Sequence, residues 1–172
     1  MRADGSDQRN LSNAPGDDDY PAWSLDGTQI AFTSMRDGNR EIYLINANGS
    51  DLRNLTNRAD ANDYGPRWSP DGTHIAYDSW GDTGNREIYV MNADGSDLLN
   101  LTQHPAEDIG PSWSPDGRQL AFLSTRDETA SGIYVINADG TRLRRLTFHN
   151  GDGIPLWSPG AIGQDIEPRN AA

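Results

Sequence analysis

The sequence predicts an all-β fold, a β-propeller built of four-stranded antiparallel blades, with about three and a half blades in the 172 residues. Two observations support this. A Pro-x-Trp-Ser frame recurs about every 45 residues, the usual length of one blade, and places tryptophans at Trp23, Trp68, Trp113 and Trp157. Between these frames, short apolar and aromatic runs alternate with turns of Asp-Gly type, which is typical of antiparallel strands. The four tryptophans are therefore expected in the cores of successive blades.

The second copy of the frame shows how one unit is assigned. Its first strand, at 66–69, leads into the turn Ser69-Pro70-Asp71-Gly72, where Pro fixes φ at the second position and Gly accepts a positive φ. The turn Asn92-Ala93-Asp94-Gly95 is of the same kind. Around these turns, the remaining strands are predicted at 74–79, 87–91 and 97–102. Each unit is thus a four-stranded meander.

The strands are apolar on both faces. In Ile42-Tyr43-Leu44-Ile45, every alternate position is large and apolar, so the sheet is expected to be covered on both sides. Sheets packed face to face around an axis meet that requirement. A β-sandwich or a barrel also has many short strands, but neither explains a tryptophan that returns in the same frame in every unit.

Aligning the copies sets the predicted boundaries. One partial propeller is expected over residues 1–159, followed by a loose C-terminal tail at 160–172. Within it, complete blades are predicted at about 20–57, 64–103 and 109–148, with a lone fourth strand at 1–13 and a lone first strand at 155–158.

An open arc of blades leaves an apolar face uncovered at each end. Half a dozen large side chains left in water, at roughly 1.5–3 kcal/mol each, would cost about as much as the stability of a whole domain. We therefore expect the chain to form a homo-oligomer, with a dimer favoured, or to be one part of a longer propeller.

Composition and charge exclude several classes of partner. The formal net charge is −12, and the basic residues form no cluster, which disfavours nucleic-acid binding and favours a cationic or metal-loaded partner. The sequence has no cysteine, so disulfides and thiolate chemistry are excluded. It also lacks an apolar run of membrane-spanning length, so no membrane span is expected.

The full repeat, clearest from Pro66 to Thr102, combines Pro-x-Trp-Ser-Pro-Asp-Gly, Ile-Ala-Tyr, Glu-Ile-Tyr-Val, Asn-Ala-Asp-Gly-Ser and Leu-Thr. This string resembles the repeat of TolB-type β-propellers, and it is also similar to repeats in the propeller domains of tricorn-like proteases. The resemblance implies a bacterial protein in the periplasm or another extracytoplasmic compartment. It also implies binding of protein partners, such as the lipoprotein Pal, at the mouth of the channel.

A carboxylate stands five residues before each tryptophan of the frame, at Asp18, Asp63, Asp108 and Asp152. If the tryptophan strand is the innermost one, these carboxylates lie around the channel at one end and form a hard-oxygen site suited to Ca²⁺. The alternative is that each aspartate caps its own loop or bonds to the neighbouring blade. His104 and His149 precede two of these carboxylates, which allows a His-Asp pair or simple loop packing.

No catalytic motif accompanies these residues: the sequence has no Gly-x-Ser-x-Gly, no His-Glu-x-x-His and no phosphate-binding glycine loop. The predicted function is therefore a non-catalytic, calcium-binding propeller module that binds a protein or peptide at the channel mouth. The alternative hypothesis is a metal-assisted propeller lyase or hydrolase that uses the channel carboxylates.

Overall fold

The computed structural model describes residues 4, 6–81, 84–127, 131–148 and 151–158, and it confirms an all-β, partial propeller. Three sheets each contain four antiparallel strands in chain order, so each sheet is one blade. Blade 1 contains β1 (Asp18–Trp23), β2 (Gln29–Ser34), β3 (Glu41–Asn46) and β4 (Arg53–Asn54). Blade 2 contains β5 (Asn62–Trp68), β6 (His74–Trp80), β7 (Arg86–Asn92) and β8 (Leu99–Asn100). Blade 3 contains β9 (Asp108–Trp113), β10 (Gln119–Ser124), β11 (Gly132–Asn137) and β12 (Arg144–Arg145).

The strand bounds differ from the prediction in the first and fourth strands. β5 begins at Asn62, before the predicted start at 66, because a bulge carries the strand through Gly65 and Pro66. Gly65 has φ +60°, and Pro66 has no N–H to give to a ladder, so the register shifts there without ending the strand. The fourth strands are only two residues long. None of the described residues belongs to a helix long and apolar enough to cross a membrane.

The two lone strands are not found where they were predicted. The described residues of 1–13 and 155–158 contain no strand. A single strand needs a neighbour for its ladder, and no described strand forms a ladder with either segment. Both segments still contact blades. Leu11 packs against blade 1, and the backbone N–H of Trp157 donates to the Ser112 hydroxyl of blade 3 at 3.4 Å. The predicted tail at 160–172 lies outside the described residues.

The apolar core lies between the blades. One cluster joins blades 1 and 2, and a second joins blades 2 and 3, so both faces of blade 2 are covered, as predicted. The first contains Ala31, Ile42 and Leu44 of blade 1 with Ile75, Tyr77, Tyr89 and Met91 of blade 2. The second contains Ala76, Ile88, Val90 and Leu101 of blade 2 with Leu120, Phe122, Tyr134 and Ile136 of blade 3. A third cluster on the outer face of blade 1 contains Ile30, Phe32, Tyr43 and Ile45, with Leu11 against it.

The repeated tryptophan joins each blade to the one before it. The Trp68 indole N–H donates to the Ala22 carbonyl at 3.1 Å, and the Trp113 indole N–H donates to the Arg67 carbonyl at 3.1 Å. Both side chains are partly buried against the interblade clusters. Trp23 precedes the first of these joints and is 57% exposed. The tryptophans therefore lie at blade interfaces rather than in the middle of a blade.

Candidate functional site

The aspartate of each repeat lies at the start of the innermost strand of its blade. β1, β5 and β9 neighbour one another in space, and Asp18, Asp63 and Asp108 stand opposite a serine of the second strand in each blade. Since the inner strands run in equivalent directions, these three carboxylates lie on the same rim of the arc, where the inner strands begin. The ladder registers give the three residues equivalent positions, while their arrangement around a channel stays a prediction.

Asp18 and Asp108 are each paired with an arginine of their own blade. Arg126 Nη2 lies 2.7 Å from Asp108, whose side chain is fully buried, and Arg36 Nη2 lies 3.3 Å from the more exposed Asp18. Burial acts to raise the pKa of Asp18, but hydrogen bonds from Ser12 and Ser34 together with the Arg36 charge outweigh it and lower the pKa.

Each of these arginines also stacks on an aromatic ring of the third strand of its blade. The guanidinium carbon of Arg36 lies 4.5 Å from the centroid of the Tyr43 ring, and that of Arg126 lies 4.8 Å from the centroid of the Tyr134 ring. In blades 1 and 3, the carboxylate is therefore one part of a packed Asp-Arg-aromatic unit.

Blade 2 lacks this arginine, because Gly81 occupies the equivalent position. Arg58, from the linker between blades 1 and 2, fills the space: a Cβ at Gly81 would lie 2.9 Å from Arg58 Nη2. The Arg58 guanidinium lies 5.4 Å from the Tyr89 ring centroid, as its counterparts lie over Tyr43 and Tyr134. The cation of this unit therefore comes from the preceding linker in blade 2.

Asp63 is buried without the direct arginine contact that Asp18 and Asp108 have. It is fully buried, and neither of its oxygens has a hydrogen-bond partner among the described residues. Burial raises the pKa of Asp63 to about 6, although the nearby Ser79 and Thr56 hydroxyls and the Arg58 charge act to lower it. Asp63 thus loses its charge more readily than an ordinary aspartate.

Asp152 accepts a hydrogen bond from the Thr147 hydroxyl and is partly exposed. Within the part of the chain that the structure describes, no group of three or more His, Cys, Asp or Glu side chains could hold a metal ion. Asp18 and Asp108 are engaged by arginine, so as placed the residues do not fit a shared Ca²⁺ ion. His104 accepts a hydrogen bond at Nδ1 from the Ala106 N–H and packs within its loop, whereas His149 lies outside the described residues.

Two buried glutamates, which the sequence analysis did not single out, hold the linkers between blades. Glu41 accepts hydrogen bonds from the Thr56 hydroxyl and the Arg58 N–H, and the Asn39 amide donates to the carbonyls of Arg58 and Ala61. Glu87 and Asn85 make the same bonds to the linker between blades 2 and 3. The signal was present, because both blades contain Asn-Arg-Glu-Ile-Tyr. Blade 3 has Gly132 in place of the glutamate.

Arg40 and Arg86 lie between the asparagine and the glutamate of this motif. They form a second, more accessible cluster on the inner side of the arc. The guanidinium carbons of Arg40 and Arg86 lie 5.5 Å and 4.2 Å from the ring centroid of Tyr64, which belongs to β5. The two arginine side chains are 25% and 26% exposed. We call Arg40, Tyr64 and Arg86 the Arg-Tyr-Arg stack.

Acidic groups orient this stack across the three blades. Arg40 Nη1 lies 3.1 Å from Asp19, and Arg86 Nη1 lies 3.5 Å from the buried Asp78. Asp78 also accepts a hydrogen bond from the Gly110 N–H of blade 3 at 3.2 Å. Burial raises the pKa of Asp78 to about 6, with the Arg86 charge acting to lower it.

The comparison with known families follows the same repeats. The family model of the TolB β-propeller domain matches residues 1–82 and 63–162, which together cover most of the chain. The chain belongs to the TolB β-propeller family. The Trp frame, the Asp-Arg-aromatic unit and the Asn-Arg-Glu motif all lie within the TolB match.

Individual relatives agree with this TolB assignment. The Tol-Pal system protein TolB of Syntrophus aciditrophicus is 41% identical over 52 residues, which are 30% of this chain and 12% of that protein. The structure of a TolB from Agrobacterium tumefaciens gives a TM-score of 0.71 at 32% identity, over 81% of this chain and 50% of that chain. This chain therefore spans about half the length of that TolB. An oligogalacturonate lyase in complex with manganese shares the fold alone, with a TM-score of 0.58 at 24% identity over 75% of this chain and 36% of that one.

Proposed function

We propose that this chain is a non-catalytic TolB-type module that binds a protein or peptide partner on the rim of the arc where the innermost strands begin. The Arg-Tyr-Arg stack is the observation that carries the proposal. It lies on the inner side, is partly exposed and combines arginine and tyrosine, two of the three residue types that most often dominate the energy of protein interfaces. In a closed propeller this position would lie at the mouth of the channel, which supports the proposal.

The chemistry of the stack indicates what the partner offers. Each guanidinium has five N–H donors, and the ion pairs with Asp19 and Asp78 use only part of them. A partner segment with carboxylates or free backbone carbonyls matches the remaining donors. The net charge of −12 by itself favoured a cationic partner, so we propose a segment that places an acidic group at the stack and basic groups on the surrounding acidic surface.

We place the protein in the periplasm of a bacterium, as its family membership supports. The curated relative is named as a member of the Tol-Pal system, which makes the soluble domain of Pal the first probe to use. Isothermal titration of this chain with that domain is expected to show binding. Tyr64→Ala should weaken it at least tenfold, whereas Leu99→Ala, which removes an exposed side chain from the outermost strand of blade 2, should leave it unchanged. Equal affinities for the wild type and Tyr64→Ala would remove the stack from the interface.

Calcium binding by Asp18, Asp63, Asp108 and Asp152 stays a separate proposal, and it would require Arg36 and Arg126 to leave Asp18 and Asp108, because the carboxylates as placed do not fit a shared ion. Calcium titration followed by calorimetry and by the thermal midpoint tests it, with Asp63→Asn and Asp108→Asn as variants. A calcium-dependent rise of the midpoint that both variants abolish would support a metal site. No heat and no shift in the wild type would rule it out.

The metal-assisted lyase or hydrolase hypothesis has no specific observation in its favour. The similarity to the manganese-bound lyase concerns the fold alone. Asp63, the carboxylate whose raised pKa would suit acid-base chemistry, is fully buried, so a substrate would not reach it in this conformation.

A further inference from the structure

The turn after the third strand has the same hydrogen-bond network in all three blades, but one of its residues differs. In blade 1 the turn is Asn46-Ala47-Asn48-Gly49-Ser50, whereas blades 2 and 3 have Asp94 and Asp139 at the position of Asn48. Asn48 is exposed. Asparagine is a thermolabile residue, and the glycine after it has no Cβ to hinder its backbone nitrogen. This turn is therefore a candidate for a spontaneous covalent change.

Two donors hold the side-chain oxygen of Asn48. The Ser50 backbone N–H donates to Asn48 Oδ1 at 2.9 Å, and the Ser50 hydroxyl donates to the same atom at 2.7 Å. The Asn46 side-chain amide donates to that hydroxyl at 3.0 Å, which leaves the hydroxyl hydrogen for Asn48. Because Oδ1 is bonded to the residue two positions further on, the Asn48 side chain is folded towards the backbone nitrogen of Gly49.

This arrangement suits attack of the Gly49 nitrogen on Cγ of Asn48. The attack places negative charge on Oδ1, and the two Ser50 donors already point at that atom. One bond acts against the attack: the Gly49 N–H donates to the Asn46 carbonyl at 2.8 Å, and the nitrogen has to lose this proton before it can bond to Cγ. The reaction therefore requires this bond to open while the Ser50 bonds remain.

The turns of blades 2 and 3 show that the fold accepts an aspartate at this position. Asp94 accepts hydrogen bonds from the Ser96 N–H at 2.9 Å and the Ser96 hydroxyl at 2.7 Å, and Asp139 accepts from the same groups of Thr141 at 2.9 Å and 2.6 Å. These bonds lower the pKa of both carboxyl groups. A carboxylate at position 48 would make the same bonds as a stronger acceptor.

The fold does not accept the other common product of this chemistry, isoaspartate, as easily. Isoaspartate carries the main chain through the side chain and so lengthens the backbone by one carbon. Gly49 has φ +89°, and a Cβ there would lie 3.5 Å from Leu11 Cδ2, so the turn already packs closely on that segment. A longer backbone before Gly49 would shift this contact and the bond from the Asn46 N–H to the Ser50 carbonyl, which is 2.9 Å long.

We propose that Asn48 is a site of spontaneous deamidation, and that its product in the folded protein is aspartate rather than isoaspartate. The Gly49 nitrogen bonds to Cγ of Asn48, and the side-chain nitrogen leaves as ammonia with the proton of the Gly49 amide. Water then adds at Cγ and breaks the bond between Cγ and the Gly49 nitrogen, which regains a proton. The Ser50 donors polarise the carbonyl at Cγ, so they favour addition of water there and hence aspartate.

The net reaction consumes one water and releases one ammonia, with no oxidation or reduction. It adds one negative charge to the formal net charge of −12 and gives blade 1 the turn of blades 2 and 3. This inference does not depend on which partner binds the Arg-Tyr-Arg stack.

Incubation of the folded chain in mildly alkaline buffer, followed by tryptic digestion and mass spectrometry, tests the proposal. Asn48 lies in the tryptic peptide 41–53, which also contains Asn46 before an alanine as an internal control. The peptide should gain the mass of one amide-to-acid exchange, at position 48. A protease that cuts before aspartate but not before isoaspartate should then cut it there.

The same chain unfolded in urea is the reference, because without the turn it should give mainly isoaspartate. If the folded chain keeps its Asn48 amide after the unfolded chain has reacted, the turn protects this residue and the proposal is wrong. Isoaspartate as the main product of the folded chain also overturns it.

Two matched variants test the role of the turn. Ser50→Ala removes one donor to Asn48 and should slow the reaction at least about threefold, less than the hundredfold loss in an enclosed oxyanion hole because this turn is exposed. Ser96→Ala makes the same change in blade 2, beside Asp94, and should leave the rate at Asn48 unchanged. Asn48→Asp should have a thermal midpoint no lower than the wild type. A reaction in Ser50→Ala as fast as in the wild type, or a lower midpoint for Asn48→Asp, contradicts the proposal.

Discussion

Blade 2 and blades 1 and 3 provide the aspartate of the repeat with a nearby cation in two different ways. In blades 1 and 3, Arg36 and Arg126 follow the second strand of the same blade, whereas in blade 2 that position is Gly81 and Arg58 of the preceding linker fills the space. The position of the cation over the third-strand aromatic ring is retained although its place in the sequence changes. This indicates that each blade keeps a cation over its third-strand aromatic ring, and that blade 2 takes this cation from the preceding linker.

The largest effect is expected at Asp108, which is fully buried and paired with Arg126 at 2.7 Å. Arg126→Ala leaves this carboxylate buried without its cation, and we expect a loss of about 3–5 kcal/mol in the free energy of unfolding. Urea unfolding followed by tryptophan fluorescence measures it. Adding Asp108→Asn to Arg126→Ala should recover part of the loss, because the uncompensated charge is then absent. A loss below 1 kcal/mol would mean that water already reaches Asp108.

Asp63 is expected to give the next largest effect, and it depends on pH. Its pKa is about 6 in the folded protein, above the value of about 3.9 in an unfolded chain. The stabilisation of the fold by protonated Asp63 is therefore complete below about pH 4 and is lost as the pH rises to about 6. Asp63→Asn removes that loss. Relative to the wild type, the variant should gain about 2–3 kcal/mol between pH 4 and pH 7.5.

Urea titrations of both proteins at several pH values measure this difference. Asp78 has a similarly raised pKa and remains in both proteins, so it cancels in the comparison. A stability difference that is constant with pH would show that Asp63 stays charged throughout.

Moving the cation of blade 2 from Arg58 to position 81 should give a smaller effect. Arg58→Ala should cost about 1–2 kcal/mol, since it removes the cation near Asp63 and over the Tyr89 ring. Gly81→Arg alone brings a second guanidinium into the space of Arg58 and should not stabilise the protein. Combined with Arg58→Ala, it should restore most of the loss, because blade 2 then has the arrangement of blades 1 and 3. Additive effects in this double-mutant cycle would mean that the two positions do not share one site.

The smallest effect is expected at Arg36. Its partner Asp18 has a side chain that is 21% exposed, and the distance between them is 3.3 Å, so water already screens the pair. Arg36→Ala should lower the free energy of unfolding by about 1 kcal/mol or less. The same urea experiment that is used for Arg126→Ala measures it. A loss as large as that of Arg126→Ala would show that stacking on Tyr43, rather than the buried charge, dominates both sites.

The sequence was sufficient for the fold because the frame repeats both its turns and its strands. The central strands β6 and β7 lie close to their predicted bounds, since their apolar runs are continuous and each is followed by a turn residue pattern. The described residues of 1–13 and 155–158 form no strand, because a strand-like pattern forms a ladder only where it pairs with a neighbouring strand. The start of β5 was also misplaced, since a bulge at Gly65 and Pro66 has no distinct sequence signal.

The candidate site was only partly predictable. The 45-residue repeat predicted equivalent positions for Asp18, Asp63 and Asp108 in their blades. It did not predict their partners, because Arg58 approaches Asp63 from a linker and no spacing rule indicates that. The charge state of Asp63 depends on burial, which is a property of the packed blades. The Asn-Arg-Glu motif could have been found, since two copies share it, yet its contacts to the linkers required the structure.

The near identity of the repeated frames has a consequence for how the chain folds. A strand that pairs with the ladder of a neighbouring unit, about 45 residues out of place, meets almost the same turn residues and apolar side chains as it does in its own blade. Such mispaired forms are compact and share many native contacts, so they convert slowly to the native state. The residues that differ between blades, above all Gly81 and Gly132, then make the native strand pairing slightly more stable than the mispaired one. Replacing them with the residues of the other blades would slow refolding even where it raised stability.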